Sequence, residues 1–215
     1  MSIALIDYGA GNLTSVRKAF AAVGANLFVP ATLADIERAT AIVVPGVGHF
    51  DATRALDAPW VDAILARVGE GRPLLGICLG MQWLFEGSDE APQCAGLGLL
   101  AGRCYRLQGR GPEDPEVRPK PDTTIKVPHV GWNTIELQRE ASLVEGVPSG
   151  AQVYFTHSFV APVTGDTVAV TEHGESFAAI VQRGYIAGVQ FHPEKSGDVG
   201  LRILRNFVQL ADLGG

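Results

Sequence analysis

The chain has 215 residues, enough for one sizeable core in a single α/β domain. Hydrophobic residues make up 47% of it, which excludes a disordered protein. Lys and Arg total 17 against 23 Asp and Glu, and a net charge of −6 argues against a nucleic-acid binder, whose footprint is a basic face.

The first segment, Met1 to Asp7, has no basic region, and its apolar run is too short for a signal peptide. Ile3 to Ile6 reads as a short strand ending at Asp7-Tyr8-Gly9-Ala10-Gly11. Leu13 to Val23 follows as an amphipathic helix, with Val16, Phe20 and Val23 at helical spacing and Gly24 as its stop. Leu27 to Val29 and Ala41 to Val44 are further strands, closed by Pro30 and by Pro45-Gly46-Val47-Gly48. Trp60 to Val68 reads as helix and Pro73 to Ile77 as a fourth buried strand. Apolar strands separated by helices predict a parallel sheet covered on both faces.

The second half changes character. Residues 109–123 are rich in Pro, Gly and charge and read as an exposed loop. Strands are expected at Cys104 to Leu107, Ile125 to Val127, Val153 to Phe155, Thr167 to Val170, Ala178 to Gln182 and Ile186 to Phe191. Arg183-Gly184 turns the last pair into a hairpin. A closing helix spans Val199 to Leu210, with Leu201, Leu204, Phe207 and Val208 on one side. No internal repeat or strong boundary interrupts the chain, so one domain over residues 1–215 is expected. No segment approaches the roughly 20 apolar residues of a membrane helix. An odd set of cysteines (Cys78, Cys94, Cys104) fits a reducing cytosol better than a disulfide framework, and a cytoplasmic protein is expected.

Chemistry concentrates at Gly76-Ile77-Cys78-Leu79-Gly80, where an apolar strand runs into a helix through a turn flanked by glycines. That is the nucleophile-elbow pattern with sulfur in place of oxygen. A helix starting at Leu79 aims its amides at the sulfur and favours thiolate. The bland alternative, a small buried hydrophobe, suits Cys94 and Cys104 better than Cys78. Far along the chain, Gly188 to Phe191 leads into His192-Pro193-Glu194. On a strand, residues i and i+2 share a face, so Glu194 can orient His192 and favour its imidazolium. The loop Pro45-Gly46-Val47-Gly48 offers amides for an oxyanion hole together with Leu79, a weak signal alone because most Pro-Gly pairs are turns. Gly9-Ala10-Gly11 is not a dinucleotide fingerprint: Thr14 replaces the third glycine and strand two lacks a terminal acid. Five scattered histidines, without Cys-x-x-Cys or His-Glu-x-x-His, predict no metal. No cofactor is expected.

Gly-Ile-Cys-Leu-Gly-Met-Gln followed by Phe-His-Pro-Glu resembles the class I (triad) glutamine amidotransferases, over essentially the whole chain. Other segments narrow the resemblance: Asp7 to Leu13, Pro45 to Phe50, Val127-Pro128-His129-Val130-Gly131-Trp132-Asn133, Phe155 to Phe159 and His192 to Ser196. They are similar to the glutaminase subunits of imidazole glycerol phosphate synthases. The subunits serving anthranilate or pyridoxal phosphate synthesis are the alternative, and a non-catalytic scaffold of the same fold a more distant one.

The resemblance implies an α/β, flavodoxin-like fold: an open, mostly parallel sheet flanked by helices, with an antiparallel extension. It implies glutamine as substrate, Cys78 as nucleophile, His192 as base and Glu194 as its orienting acid. Val47, Gly48 and Leu79 would build the oxyanion hole. Gly46, Gln82, Glu90, Thr156, His157 and Ser158 would line the substrate. For Gln82 a surface role stays open, for Glu90 a solvated loop, and for His157 an ordinary strand end. It also implies a (βα)8-barrel cyclase as partner, met at or near Asn12, Trp132, Asn133 and Lys195. Trp132 and Lys195 also fit core packing and plain solvation.

Overall fold

The computed structural model describes residues 2–108 and 125–213. The predicted loop at 109–123 lies outside them. The first half alternates β1 (Ile3–Leu5), α1 (Leu13–Ala22), β2 (Leu27–Phe28), α2 (Leu33–Glu37), β3 (Ala41–Val44), α3 (Ala58–Gly69), β4 (Leu74–Ile77) and α4 (Leu79–Trp83). Then come β5 (Gly87–Ser88), β6 (Arg103–Arg106), β7 (His129–Leu137), β8 (Ala151–His157), β9 (Phe159–Val160), β10 (Thr167–Glu172), β11 (Ser176–Arg183), β12 (Ile186–Val189) and α5 (Gly197–Leu213).

Nine strands form one sheet in the order β2-β1-β3-β4-β12-β11-β10-β7-β8, and β5, β6 and β9 form a small second sheet. From β2 to β12 every ladder is parallel; from β12 to β8 every ladder is antiparallel. The expected antiparallel extension is therefore nearly as wide as the parallel part. The hairpin at Arg183-Gly184 forms, with Arg183 opposite Ile186.

Strand residues bury alternately on the two faces. Ile3, Leu5, Val43, Leu75 and Ile77 join Phe20, Leu204 and Phe207 in one cluster under α1 and α5. Ala4, Ile6, Ile42, Val44 and Leu74 join Ile36, Phe50, Ile64 and Met81 in the other. This two-sided burial is why the parallel strands read as continuous apolar runs. In α5, Leu204, Phe207 and Val208 are buried as the spacing predicted, whereas Leu201 only flanks the core.

Two readings need correction. Residues 125–127 form no strand; Pro128, which has no amide proton, precedes the long strand β7. That strand pairs along its length with β8, from His129↔His157 to Ile135↔Ala151. The sequence pattern predicts no helix over Leu33–Glu37, yet the short helix α2 forms there because Asp35 accepts from the Thr32 amide and hydroxyl and so caps it. Among the described residues, no helix is long and apolar enough to cross a membrane.

Candidate active site

Cys78 sits between β4 and α4 with φ 54° and ψ −108° and is the only non-glycine with positive φ among the described residues. Such a backbone costs on the order of 1–3 kcal/mol, and it persists because its surroundings dictate it. The flanking glycines are part of that dictation. A Cβ on Gly80 would lie 1.8 Å from the Val44 carbonyl oxygen, and one on Gly76 would lie 2.5 Å from the Gly80 oxygen. Strand and helix thus meet backbone to backbone. The Cys78 amide donates to the Val189 carbonyl at 2.8 Å, which ties the elbow to the end of β12.

That tie brings the distant motif to the sulfur. Ile77 pairs with Val189, and three residues later the chain reaches His192. His192 and Glu194 meet through a 3₁₀ turn at Pro193–Lys195 rather than along a strand, which corrects the reason for their proximity. The contact itself is as expected: Nδ1 of His192 lies 2.8 Å from Glu194 Oε1, with the side chains 3% and 4% exposed. The turn is pinned by Ser196, whose hydroxyl donates to the His192 carbonyl and accepts from the Tyr154 amide. Burial disfavours a charged ring here, but the Cys78 sulfur and the Glu194 carboxylate outweigh it and raise the His192 pKa to about 10. The remaining nitrogen, Nε2, is buried with no nitrogen or oxygen partner among the described residues, which leaves the Cys78 sulfur as the group that acts on it. A cysteine and an imidazolium oriented by a carboxylate can carry out nucleophilic acyl transfer.

The 45–48 loop lies against this centre. Gly46 touches the Tyr8 side chain so closely that a Cβ there would fall 2.1 Å from the hydroxyl oxygen. That hydroxyl is buried without a partner among the described residues, and burial, then the charge of Cys78, raises its pKa. The Leu79 amide, expected in the oxyanion hole, donates to the Gly46 carbonyl at 3.3 Å. It is engaged rather than free in this state. Val47 and Gly48 are exposed, and Gly48 takes φ 105°.

Glu90 is not simply solvated: its Oε2 accepts the Phe50 amide at 2.7 Å, just beyond the loop. Gln82 is buried, and its Nε2 donates to the Phe159 carbonyl at 2.8 Å and to Gln190 Oε1 at 3.2 Å. Thr156, His157 and Ser158 end β8 and begin the following bend; the two hydroxyl residues are half-buried. The His157 ring is committed internally, to His129 at 3.2 Å and to the Phe159 carbonyl at 3.1 Å. Burial and its histidine neighbours lower its pKa to about 3.

Of the residues expected at a partner face, Trp132 is 56% exposed and stands edge-on to Tyr154. Lys195 lies over the same Tyr154 ring at 5.5 Å. Asn12 is exposed and caps α1 through Ser15. Asn133 is half-buried, and its amide bonds to the Glu172 carbonyl and the Thr134 amide near the surface and meets His129 below them. Gln190 escaped the sequence reading. Its Nε2 donates to Cys78 Sγ at 3.6 Å, and the available signal was a polar side chain inside the apolar run before His192. Among the described residues, no group of three His, Cys, Asp or Glu side chains is placed to hold a metal ion, although His129 lies against both His157 and His173. Cys94 and Cys104 are buried free thiols.

The family model for glutamine amidotransferase class-I matches residues 4–210. The chain is 46% identical over 209 residues to the imidazole glycerol phosphate synthase subunit HisH of Syntrophotalea carbinolica, covering 95% of this chain and 98% of that protein. It is 42% identical over 214 residues to the HisH subunit of Thermococcus kodakarensis, covering 97% and 100%. Among solved structures, a glutamine amidotransferase aligns with TM-score 0.72 at 21% identity, covering 97% and 98% of the two chains. The PurLQS structure from Thermotoga maritima aligns with TM-score 0.71 at 16% identity, covering 97% of each chain, which supports the fold alone. The chain belongs to the class I glutamine amidotransferase family.

Proposed function

We propose that this chain is the glutaminase subunit of an imidazole glycerol phosphate synthase, working in histidine biosynthesis as one domain. It hydrolyses glutamine and passes ammonia to a (βα)8-barrel cyclase. The observation that carries this reading is the elbow cysteine, tied through Val189 to the strand that delivers the His192–Glu194 pair. The identity to HisH subunits along nearly the full chain supports the choice of synthase.

In the reaction, the Cys78 thiolate attacks the side-chain carbonyl carbon of glutamine. The carbonyl π pair moves to oxygen. His192 then donates its Nε2 proton to the departing nitrogen as the C–N bond breaks, giving ammonia and a γ-glutamyl thioester. Water attacks the thioester, His192 takes its proton, and glutamate leaves as the C–S bond breaks. Glu194 holds the ring's other nitrogen throughout and stabilises each imidazolium. Gly46, Gln82, Glu90 and the 156–158 segment flank the bound glutamine, with His157 contributing backbone because its ring is occupied.

The developing oxyanion needs the Leu79 amide and one from Val47 or Gly48. In the state described here the Gly46 carbonyl occupies the Leu79 amide, so the 45–48 peptides must turn for full activity. Gly11 packs on Gly46, 3.5 Å from a Cβ position to Cα, which links the loop to the face carrying Asn12. Docking of the cyclase at Asn12, Trp132, Asn133 and Lys195 is the event that turns it. Mixing this chain with the cyclase and its ribulosyl substrate tests the proposal. Glutamine-dependent cyclisation should appear and should vanish in Cys78→Ala, while ammonium salts should still support it. Undiminished glutamine-dependent turnover in Cys78→Ala would end the proposal.

A further inference from the structure

We propose that Gln190 is a catalytic contact of the Cys78 sulfur, held in place by a hydrogen-bond network that runs inward from Asn133 on β7. The proposal rests on the reading of Cys78 as the nucleophile.

The network has a fixed polarity. Asn133 Oδ1 accepts the Thr134 amide at 2.8 Å, and its Nδ2 donates to the Glu172 carbonyl at 2.9 Å, so the orientation of this amide is settled. The same Nδ2 lies 3.2 Å from His129 Nε2, which must therefore accept. His129 carries its proton on Nδ1 and donates to His157 Nε2 at 3.2 Å. His157 in turn carries its proton on Nδ1 and donates to the Phe159 carbonyl at 3.1 Å, which can only accept. Both ends demand the same tautomers. Both rings are also held neutral by burial, His129 at a pKa of about 4 and His157 at about 3.

The Phe159 carbonyl receives a second donor, Gln82 Nε2, at 2.8 Å. Gln82 also donates to Gln190 Oε1 at 3.2 Å, which orients the Gln190 amide with Nε2 towards Cys78 Sγ at 3.6 Å. Gln190 is fully buried and Gln82 nearly so. Donors converge on the Phe159 carbonyl, so no proton passes along the network; it acts by position. An N–H aimed at sulfur favours thiolate over thiol, and it does so without a charge that would compete with His192. Gln82 is thereby a positioning residue for Gln190.

The test is Gln190→Met, which keeps length and removes the donor, in the complex with the cyclase. The rate of Cys78 alkylation by iodoacetamide, followed by mass spectrometry of the Cys78 peptide, is measured against pH. His192 and Tyr8 also interact with the sulfur and are left in place. The midpoint should rise by about half to one pH unit. The kcat for glutamine should fall about tenfold with KM within about twofold, the pattern of an interaction lost in the transition state. An unshifted midpoint overturns the proposal whatever kcat does. If Cys78→Ala itself retained glutaminase activity, the underlying reading would fail instead. Should Gln190→Met not fold, ¹⁵N shifts of the wild-type imidazoles decide: His129 and His157 must both be neutral Nδ1–H tautomers at neutral pH, and an Nε2–H or charged ring at either refutes the network.

Discussion

Replacing Glu194 with glutamine removes a charge and leaves the shape. The carboxylate oxygen lies 2.8 Å from His192 Nδ1, and both side chains are almost completely buried. At an effective dielectric of about 20, unit charges at that distance attract by roughly 6 kcal/mol, an upper bound before desolvation is counted. Breaking a buried pair from one side typically costs about 3–5 kcal/mol. A glutamine oxygen can still accept the Nδ1 proton, so ring orientation survives while the imidazolium loses its counter-charge. His192, held at about 10, should drop towards the ordinary histidine range. If most of the loss falls on the step in which the imidazolium protonates the leaving nitrogen, kcat should fall about 10²- to 10³-fold. The assay is glutamate release in the presence of the cyclase and its ligand, with a thermal melt to confirm folding. A folded Glu194→Gln variant with kcat within about twofold of the parent would refute the reasoning.

Other outcomes follow from the same geometry. Gly46→Ala would place a Cβ 2.1 Å from the Tyr8 hydroxyl and 2.9 Å from Leu79 Cβ, so the loop must shift. Glutaminase activity should fall about 10²-fold, with ammonium-dependent cyclisation by the complex unchanged. Trp132→Ala removes an exposed indole, so the melt should move little, while affinity for the cyclase measured by calorimetry should weaken by about 2–4 kcal/mol. Stability should peak near pH 6.5. His192, raised to about 10, stabilises fully below its unfolded pKa of about 6.5 and loses that contribution as pH rises through 10. His129 and His157, lowered to about 4 and 3, are neutral in the fold, so the unfolded chain gains protons first and stability falls as pH drops below about 6.5. Denaturant midpoints across pH 5–9 read both slopes; a flat profile would contradict the buried geometry of these rings.

Much of this was legible because local rules and tertiary demands coincide. Gly76 and Gly80 announced a turn too tight for side chains, and a Cβ at either position does meet backbone. The parallel strands were readable because both faces are buried. Strand β7 was harder: its exposed residues alternate mostly with half-buried ones, only His129 and Ile135 being buried, and Gly131 and Asn133 weaken its β signal. Glu90 looked solvated because its acceptor role depends on an amide forty residues earlier. Gln190 and His157 gain their meaning only from side chains brought together by register. The engagement of Leu79 by Gly46 belongs to one state of a loop, which residue types do not specify.

The central claim is that Cys78 forms a covalent bond to glutamine. The most direct measurement is the intact mass of the chain in complex with the cyclase, quenched in acid during turnover of glutamine, because His192 is needed both to form the thioester and to hydrolyse it. A γ-glutamyl adduct should appear on the Cys78 peptide and be absent from the Cys78→Ala chain. An adduct on another residue, or glutamine turnover in the Cys78→Ala chain, would contradict it.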